Sequence, residues 1–219
     1  MLFEDRRDAG RELARIIAAL PNLTGSVVLG LPRGGVPVAY EVAHACKLPL
    51  DVIVVRKLGV PGQEELAMGA IASGGTVALN PEIVTELRIS DETVRAAIER
   101  EQPEIERQDR EYRDGTPPLD IDGRQVILVD DGLATGASMR AAARAVRPHA
   151  ARVIIAVPVG AQETCEELSS EADQLICAST PRLFLAVGRF YSSFAPTSDE
   201  EVRELLRQAR SEQGSARAA

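Results

Sequence analysis

Short, unbroken apolar runs constrain this chain more than any other feature. They fall at residues 27–29, 52–55, 126–129 and 153–157, with a weaker one at 175–177. Each is rich in Val, Ile or Leu and lacks the in–out alternation of a half-solvated strand. Stretches with helical periodicity separate them. Strands of this kind are covered on both faces, and their alternation with helices predicts a parallel sheet. Residues 5–20 supply one flanking helix: Ala9, Leu13, Ile16, Ile17 and Leu20 share a face, and Pro21 stops it. A second starts with Pro37 in its first turn, where proline is tolerated, and runs to about residue 47. A third spans 137–147 and ends before Pro148. The fold class is therefore α/β, a parallel twisted sheet flanked by helices, in a single domain over residues 1–219.

Residues 59–123 break this rhythm. They hold a Gly-rich stretch at 68–75, a predicted hairpin and a long polar helix over 90–113. Ser90 is its expected N-cap, with Asp91 and Glu92 in the first turn. Pro103 is expected to kink or split that helix, and the charges between residues 99 and 113 read mostly as a solvated face. The segment is predicted to be an inserted hood or lid on the core. Residues 211–219 read as a frayed, disordered tail.

Composition narrows the function classes. The net charge of -8 excludes a general nucleic-acid binder, since phosphate-backbone affinity depends on neutralisation by Lys and Arg. A local basic pocket for a small polyphosphate remains compatible with it. The charged amino-terminal residues offer no secretory apolar core, and no apolar run approaches the length of a membrane span. The expectation is a soluble, cytoplasmic protein. Cys46, Cys165 and Cys177 lack metal or redox spacing and read as small buried residues in a reducing compartment. His44 and His149 are too isolated for a catalytic pair. The aromatic group Phe184, Phe190, Tyr191 and Phe194 reads as core packing, with base stacking on Tyr191 or Phe190 as the alternative.

Ligands of open α/β sheets bind beyond the carboxyl ends of the strands, and three such ends carry unusual residues. After 126–129 come Asp130, Asp131, Gly132, Leu133, Ala134, Thr135, Gly136, Ala137 and Ser138. The glycines admit close backbone approach, and free amides at a helix start favour a phosphate. Thr135 and Ser138 add hydroxyl donors. The two carboxylates suit sugar hydroxyls or Mg²⁺, because beside a phosphate they would repel it. An acidic turn with a helix cap is the plainer alternative for the two acids alone. No Walker A sequence accompanies the segment, so a P-loop nucleotidase lacks its cradle. After 27–29 comes Gly30-Leu31-Pro32-Arg33-Gly34-Gly35, which opens the backbone at a helix start beside a forked cation. A glycine-rich turn with a solvent arginine is its alternative. After 52–55 comes Arg56-Lys57, either functional cations or a surface basic pair.

The 126–138 segment resembles, position by position, the signature of the type I phosphoribosyltransferases, and the likeness extends over about residues 25–180. The chain resembles in particular a bacterial group of predicted phosphoribosyltransferases whose acceptor is unassigned. The resemblance implies a type I phosphoribosyltransferase fold that uses 5-phosphoribosyl diphosphate with Mg²⁺. It implies that Asp130 and Asp131 contact the ribose 2′ and 3′ hydroxyls, and the metal indirectly through the donor. Residues Gly132 to Ser138, Leu133 included, would bind the 5′-phosphate. Pro32, Arg33, Gly34 and Gly35 would form the diphosphate loop, with a cis peptide between Pro32 and Arg33. Arg56 and Lys57 would open a mobile catalytic loop over 57–66, with Arg33, Arg56, Lys57, Asp130 and Asp131 the catalytic set. Glu64 and Glu65 stand near that loop without an assigned role. Family members are commonly dimers, so a homodimer is implied; the partners are the donor and an acceptor of unassigned identity. The implied reaction is transfer of the phosphoribosyl group to a nitrogen nucleophile. The rival readings are a regulatory module that binds the donor without transfer, and hydrolysis or phosphotransfer on another phosphorylated sugar.

Overall fold

The computed structural model describes residues 2–218, apart from the side chains of residues 64, 65 and 215–218. A five-stranded parallel sheet forms its centre, in the order β2-β1-β6-β7-β8. The strands are β1 (Val27–Gly30), β2 (Leu50–Val52), β6 (Gln125–Val129), β7 (Arg152–Val159) and β8 (Gln174–Ser179). Gly30 lies opposite Val129, and Val129 opposite Ala156, so the carboxyl ends of the central strands are level. The fold class matches the sequence expectation.

Why the strand runs are continuous is visible in where alternate residues go. Val27, Leu29, Val126, Leu128, Val153 and Ile155 pack against α5 (Ala137–Val146) and α6 (Gln162–Leu168). Their neighbours Val28, Ile127, Val129, Ile154 and Ala156 belong to the opposite core, with α1 (Arg6–Ala18), α2 (Gly35–Cys46) and α7 (Asp199–Ala218). Both faces are dry, so neither parity can be polar. β7 runs on through Pro158, where a strand end was expected. The ladder to β8 skips Pro158 and resumes at Val159 opposite Ser179. Among the described residues, no helix is long and apolar enough to cross a membrane.

The inserted region is a three-stranded antiparallel sheet of β3 (Val55–Val60), β4 (Gln63–Ala72) and β5 (Val77–Leu79), followed by α3 (Pro81–Glu86) and α4 (Asp91–Arg113). Ser90 caps α4 by accepting from the Thr93 amide. Pro103 neither splits nor ends α4, which is continuous across it. Leu58, Met68, Val94, Ala97, Ile105 and Tyr112 enter the same apolar core as α1, α2 and α7. The charged face of α4 also has an exception. Arg113 is buried against Asp51 of β2 at 3.0 Å, and donates to Asp109 and to the Val52 carbonyl. Asp51 also accepts from the amides of Val52 and Leu119. This pair fastens the end of the hood helix to the edge of the central sheet.

Helix α7 continues through residues 211–218, where a disordered tail was expected. Glu212 accepts from Tyr40 and bonds His44, and Gln213 donates to the Leu48 carbonyl, so α2 and its following turn hold it. His149 similarly pairs with Asp122. Neither histidine faces the other.

Asp51→Ala takes from buried Arg113 one of its two carboxylate partners and leaves Asp109. The expected loss is about 1–3 kcal/mol of unfolding free energy, as for hydrogen bonds to a charged group, measured by urea denaturation. A loss under about 1 kcal/mol, as for a surface pair, would remove this fastening role.

Candidate active site

Two loops meet at the carboxyl ends of β1 and β6. The first carries Pro32, Arg33, Gly34 and Gly35, and the Pro32–Arg33 peptide is cis, as the resemblance implied. Its position is fixed because the Leu31 amide donates to the Val129 carbonyl at 2.9 Å, and the Gly35 amide to the Leu31 carbonyl at 3.0 Å. The second loop begins with Asp130 and Asp131. A Cβ on Gly35 would sit 2.7 Å from the Val129 carbonyl oxygen and 2.9 Å from Asp130 Cα. A Cβ on Gly34 would run into the Asp131 carboxylate. Gly34 has φ -63°, an ordinary value. The paired glycines are therefore required by the space between the loops, not by backbone freedom.

Both acids are anchored. Asp130 Oδ1 accepts from the Asp131 amide at 2.8 Å. Asp131 Oδ2 accepts from Arg6 Nε at 2.8 Å, and its carbonyl accepts from the Tyr191 hydroxyl at 2.6 Å. Arg6 in turn donates to the Ala195 carbonyl and stacks over Phe194, its carbon 3.9 Å from the ring centroid. Burial, reinforced by the Asp131 charge, pushes Asp130 well above the usual carboxylate range. Burial raises Asp131 as well, with Arg6 pulling against it. The Tyr191 hydroxyl is pushed up by burial and by Asp131. A closely packed, half-buried acid pair with one cation beside it holds its protons more tightly than free carboxyls do.

Beyond the acids the loop opens. Ala134, Thr135 and Ser138 are exposed, and the amides of residues 134–138 have no hydrogen-bond partner among the described residues. They precede and begin the ten-residue helix α5, whose N-terminal dipole adds to their donor character. Gly136 has φ +68°, and a Cβ there would lie 2.6 Å from Leu168 and 2.8 Å from Thr164. Leu133 departs from the sequence expectation. Its side chain is buried, its amide donates to Val159 and its carbonyl accepts from Ala161, so it anchors the loop and has no donor left for a ligand. Gly132 is likewise packed against Val187, where a Cβ would lie 2.6 Å away.

Arg56 and Lys57 do not open a loop: they lie in β3, and residues 57–66 form a β-hairpin with a turn at 61–62. Only Arg56 of the two reaches the cavity that also holds Arg33. Arg56 lines a cavity of about 370 Å³ with Arg33, Arg107, Tyr112 and Asp199. Lys57 lines an adjacent cavity of about 300 Å³ with Arg56 and Arg100. Arg56 pairs with Glu101 at 3.0 Å, and Arg33 stands 3.9 Å from Asp199. The side chains of Glu64 and Glu65 lie outside the described residues. A larger cavity, about 790 Å³, opens between β2, α4 and the end of α5 and contains none of the expected site residues. Volume alone is a weaker guide here than the convergence of acids, open amides and arginines.

Sequence reasoning missed Arg6, Tyr191 and Asp199 as parts of this site. Arg6 and Arg7 look alike in an amphipathic helix, and nothing local marks one as the partner of a residue so distant in the chain. Tyr191 was noticed as part of an aromatic group. It packs with Phe3 and Phe194, yet its hydroxyl reaches Asp131, so it is neither pure core nor a base platform. Phe190 stacks on Phe184 instead.

The described residues offer no closed protein cage for a metal ion. Among the described residues no group of three or more His, Cys, Asp or Glu side chains is placed to hold one. With Asp130 Oδ1 and Asp131 Oδ2 already engaged, the acids leave too few oxygens for octahedral Mg²⁺. The donor set fits a Mg²⁺ that arrives with ligand oxygens of its own.

The chain belongs to the phosphoribosyl transferase domain family, whose model matches residues 4–184. Two Mycobacterium tuberculosis proteins, from strains CDC 1551 and H37Rv and provisionally named phosphoribosyl transferases, are each 47% identical to it over 210 residues. That alignment covers 95% of this chain and 47% of each relative, so the chain spans about half their length. The crystal structure of TT1426 from Thermus thermophilus is 42% identical, with a TM-score of 0.86 over 95% of this chain and 99% of that one.

The raised Asp130 has a consequence for stability. A carboxyl whose folded pKa lies above its unfolded value stabilises the fold at low pH and loses that contribution as pH rises through the folded value. Asp130→Asn removes this loss. The variant should therefore melt higher than the parent at pH 8, with the gap closing toward pH 4, near the unfolded carboxyl pKa of about 3.9. A parent that melts higher at pH 8 would show that Asp130 is not held under strain.

Proposed function

We propose that this chain binds 5-phosphoribosyl diphosphate with Mg²⁺ and transfers the phosphoribosyl group to a nitrogen nucleophile, releasing diphosphate. One observation carries the reading: an open row of amides at the start of α5 stands directly beyond two half-buried carboxylates, which abut a cation-bearing glycine loop. The three parts answer to the phosphate, the diol and the diphosphate of one donor.

The amides of residues 134–138 and the hydroxyls of Thr135 and Ser138 hold the 5′-phosphate. Asp130 and Asp131 accept hydrogen bonds from the ribose hydroxyls, which fixes C1 over the glycine loop. When bound, Mg²⁺ supplies positive charge to the acids and to the diphosphate oxygens. The nucleophile's lone pair forms the new bond to C1 while the bond from C1 to the diphosphate oxygen breaks. Its electron pair leaves with diphosphate, and the nitrogen's extra proton passes to solvent. Arg33 and Arg56, which share one cavity, oppose the charge that grows on the leaving group. Lys57 borders the neighbouring cavity and acts at longer range. In this reading the β3–β4 hairpin, which carries Arg56, limits access of water, which would otherwise consume the donor.

A second reading, binding without transfer, has its own support: Arg33 and Arg56 are both engaged by acids, Asp199 and Glu101. Transfer requires them to exchange those partners for diphosphate. The decisive experiment incubates the chain with donor, Mg²⁺ and a panel of nitrogenous bases while diphosphate release is followed. Release with one of them supports transfer. Calorimetric donor binding with no release from any base would establish the binding module, and no donor binding at all would remove both readings.

The double variant Asp130→Asn, Asp131→Asn should bind the donor roughly 10–100-fold more weakly, as expected for losing charged hydrogen bonds of about 1.5–3 kcal/mol. Unchanged calorimetric affinity would dismiss the ribose role. Arg56→Ala should lower the rate of diphosphate release more than donor affinity. Equal losses would mark a ground-state contact.

A further inference from the structure

Two of the three cysteines meet beneath the phosphate loop. Cys165 lies on α6 and is buried, and Cys177 lies on β8, partly buried. Their sulfurs crowd one point: a Cβ on Gly160 would lie 2.7 Å from Cys165 Sγ and 3.2 Å from Cys177 Sγ. A glycine at that position leaves room for both. The Cys177 thiol is also 3.2 Å from the Ser179 carbonyl, to which it donates. The neighbouring Cys177 thiol draws the Cys165 thiol below its ordinary range, while Cys177 is pushed up by Cys165 and by burial. The pair is thus asymmetric, with Cys165 the readier thiolate.

Helix α6 is also the brace of the phosphate loop. Thr164, next to Cys165, donates from Oγ1 to the Ala134 carbonyl at 2.7 Å. Thr164 and Leu168 close on Gly136, where even a Cβ finds no room. The Ala161 amide, just before α6, donates to the Leu133 carbonyl at 3.0 Å. Any displacement of α6 toward β8 therefore pulls on residues 133–136.

We propose that Cys165 and Cys177 form a peroxide-reactive dithiol site, whose closure to a disulfide displaces α6 and weakens the grip of the 132–138 loop on phosphate. The Cys165 thiolate attacks one oxygen of a hydroperoxide, the O–O bond breaks, and Cys165 becomes a sulfenic acid as hydroxide leaves and takes up a proton. Cys177 sulfur then attacks the Cys165 sulfur and expels water. Two sulfurs are oxidised, and one hydrogen peroxide is reduced to two waters. A bond of about 2.0 Å between the sulfurs would tie α6 to β8, and in this proposal α6 shifts as it forms. The effect on donor binding rests on the function proposed above, whereas the dithiol chemistry stands apart from it.

The test treats the whole chain with hydrogen peroxide. Intact mass should fall by two hydrogens, and peptide mapping should find Cys165 joined to Cys177. Hydrogen exchange at the amides of residues 134–138 should change on oxidation. Calorimetric affinity for the donor with Mg²⁺ should fall roughly tenfold, toward the low end of ordinary coupling between sites, and dithiothreitol should restore it. Cys46→Ser should behave as the parent, while Cys165→Ser and Cys177→Ser should show neither the disulfide nor the affinity change. Should a serine variant fail to fold, the parent's mass and exchange results decide alone. Absence of the Cys165–Cys177 bond, or its formation with loop exchange unchanged, would overturn the proposal. A reduced chain that binds no donor would defeat the donor reading and leave the mass and exchange results to judge the dithiol.

Discussion

The close seating of Gly34 and Gly35 against Asp130 and Asp131 is the constraint on which the site depends. It brings two loops from adjacent strands to backbone contact, so that one ligand can span both. Level strand ends make this possible, since the register of β1 on β6 sets both loops at the same height. A side chain on Gly35 would have to displace the Val129 carbonyl, a backbone atom within the central sheet. Packing, more than loop flexibility, thus decides how the two loops stand relative to each other.

Electrostatics at the same point is unusual, because two acids are held in a partly buried place with one arginine for company. Folding must supply Arg6 from the first helix and Tyr191 from the segment after β8 to keep Asp131 in position. The arrangement stores an unmet demand for positive charge. That demand suits a ligand that brings its own cation, and the two acids do not form a closed metal cage. Arg33 and Arg56 are arranged the other way round: they rest on acids of α7 and α4, and an anionic ligand must compete for them.

The parallel sheet and both loops were legible in the sequence because each depends on local pattern. Val and Ile runs report burial on two faces, and a hydrophobic strand ending in two acids, small residues and a hydroxyl leaves few chemical uses. The helix cap at Ser90 was legible for the same reason, whereas the cis peptide after Pro32 was implied by the family resemblance alone. What escaped notice depends on long-range partners. Lys57 looks equivalent to Arg56 in the sequence, yet only Arg56 borders the cavity that holds Arg33. Leu133 sat within the signature yet turned inward. Arg113 read as one more surface charge, and only the approach of β2 made it a buried one. Pro103 and Pro158 were both taken as breaks, but tertiary packing carries α4 and β7 through them.

The route of the chain around Asp131 has a bearing on what counts as a minimal unit. Residues 25–180 contain every signature position, but the guanidinium that pairs with Asp131 comes from before that span, and the phenol and Asp199 come from after it. A fragment trimmed to the recognisable core would keep the motif and lose the groups that set its charge and posture. The two ends of the chain act as a clasp around the acid pair. Sequence likeness confined to the core is, for this architecture, an incomplete inventory of the site.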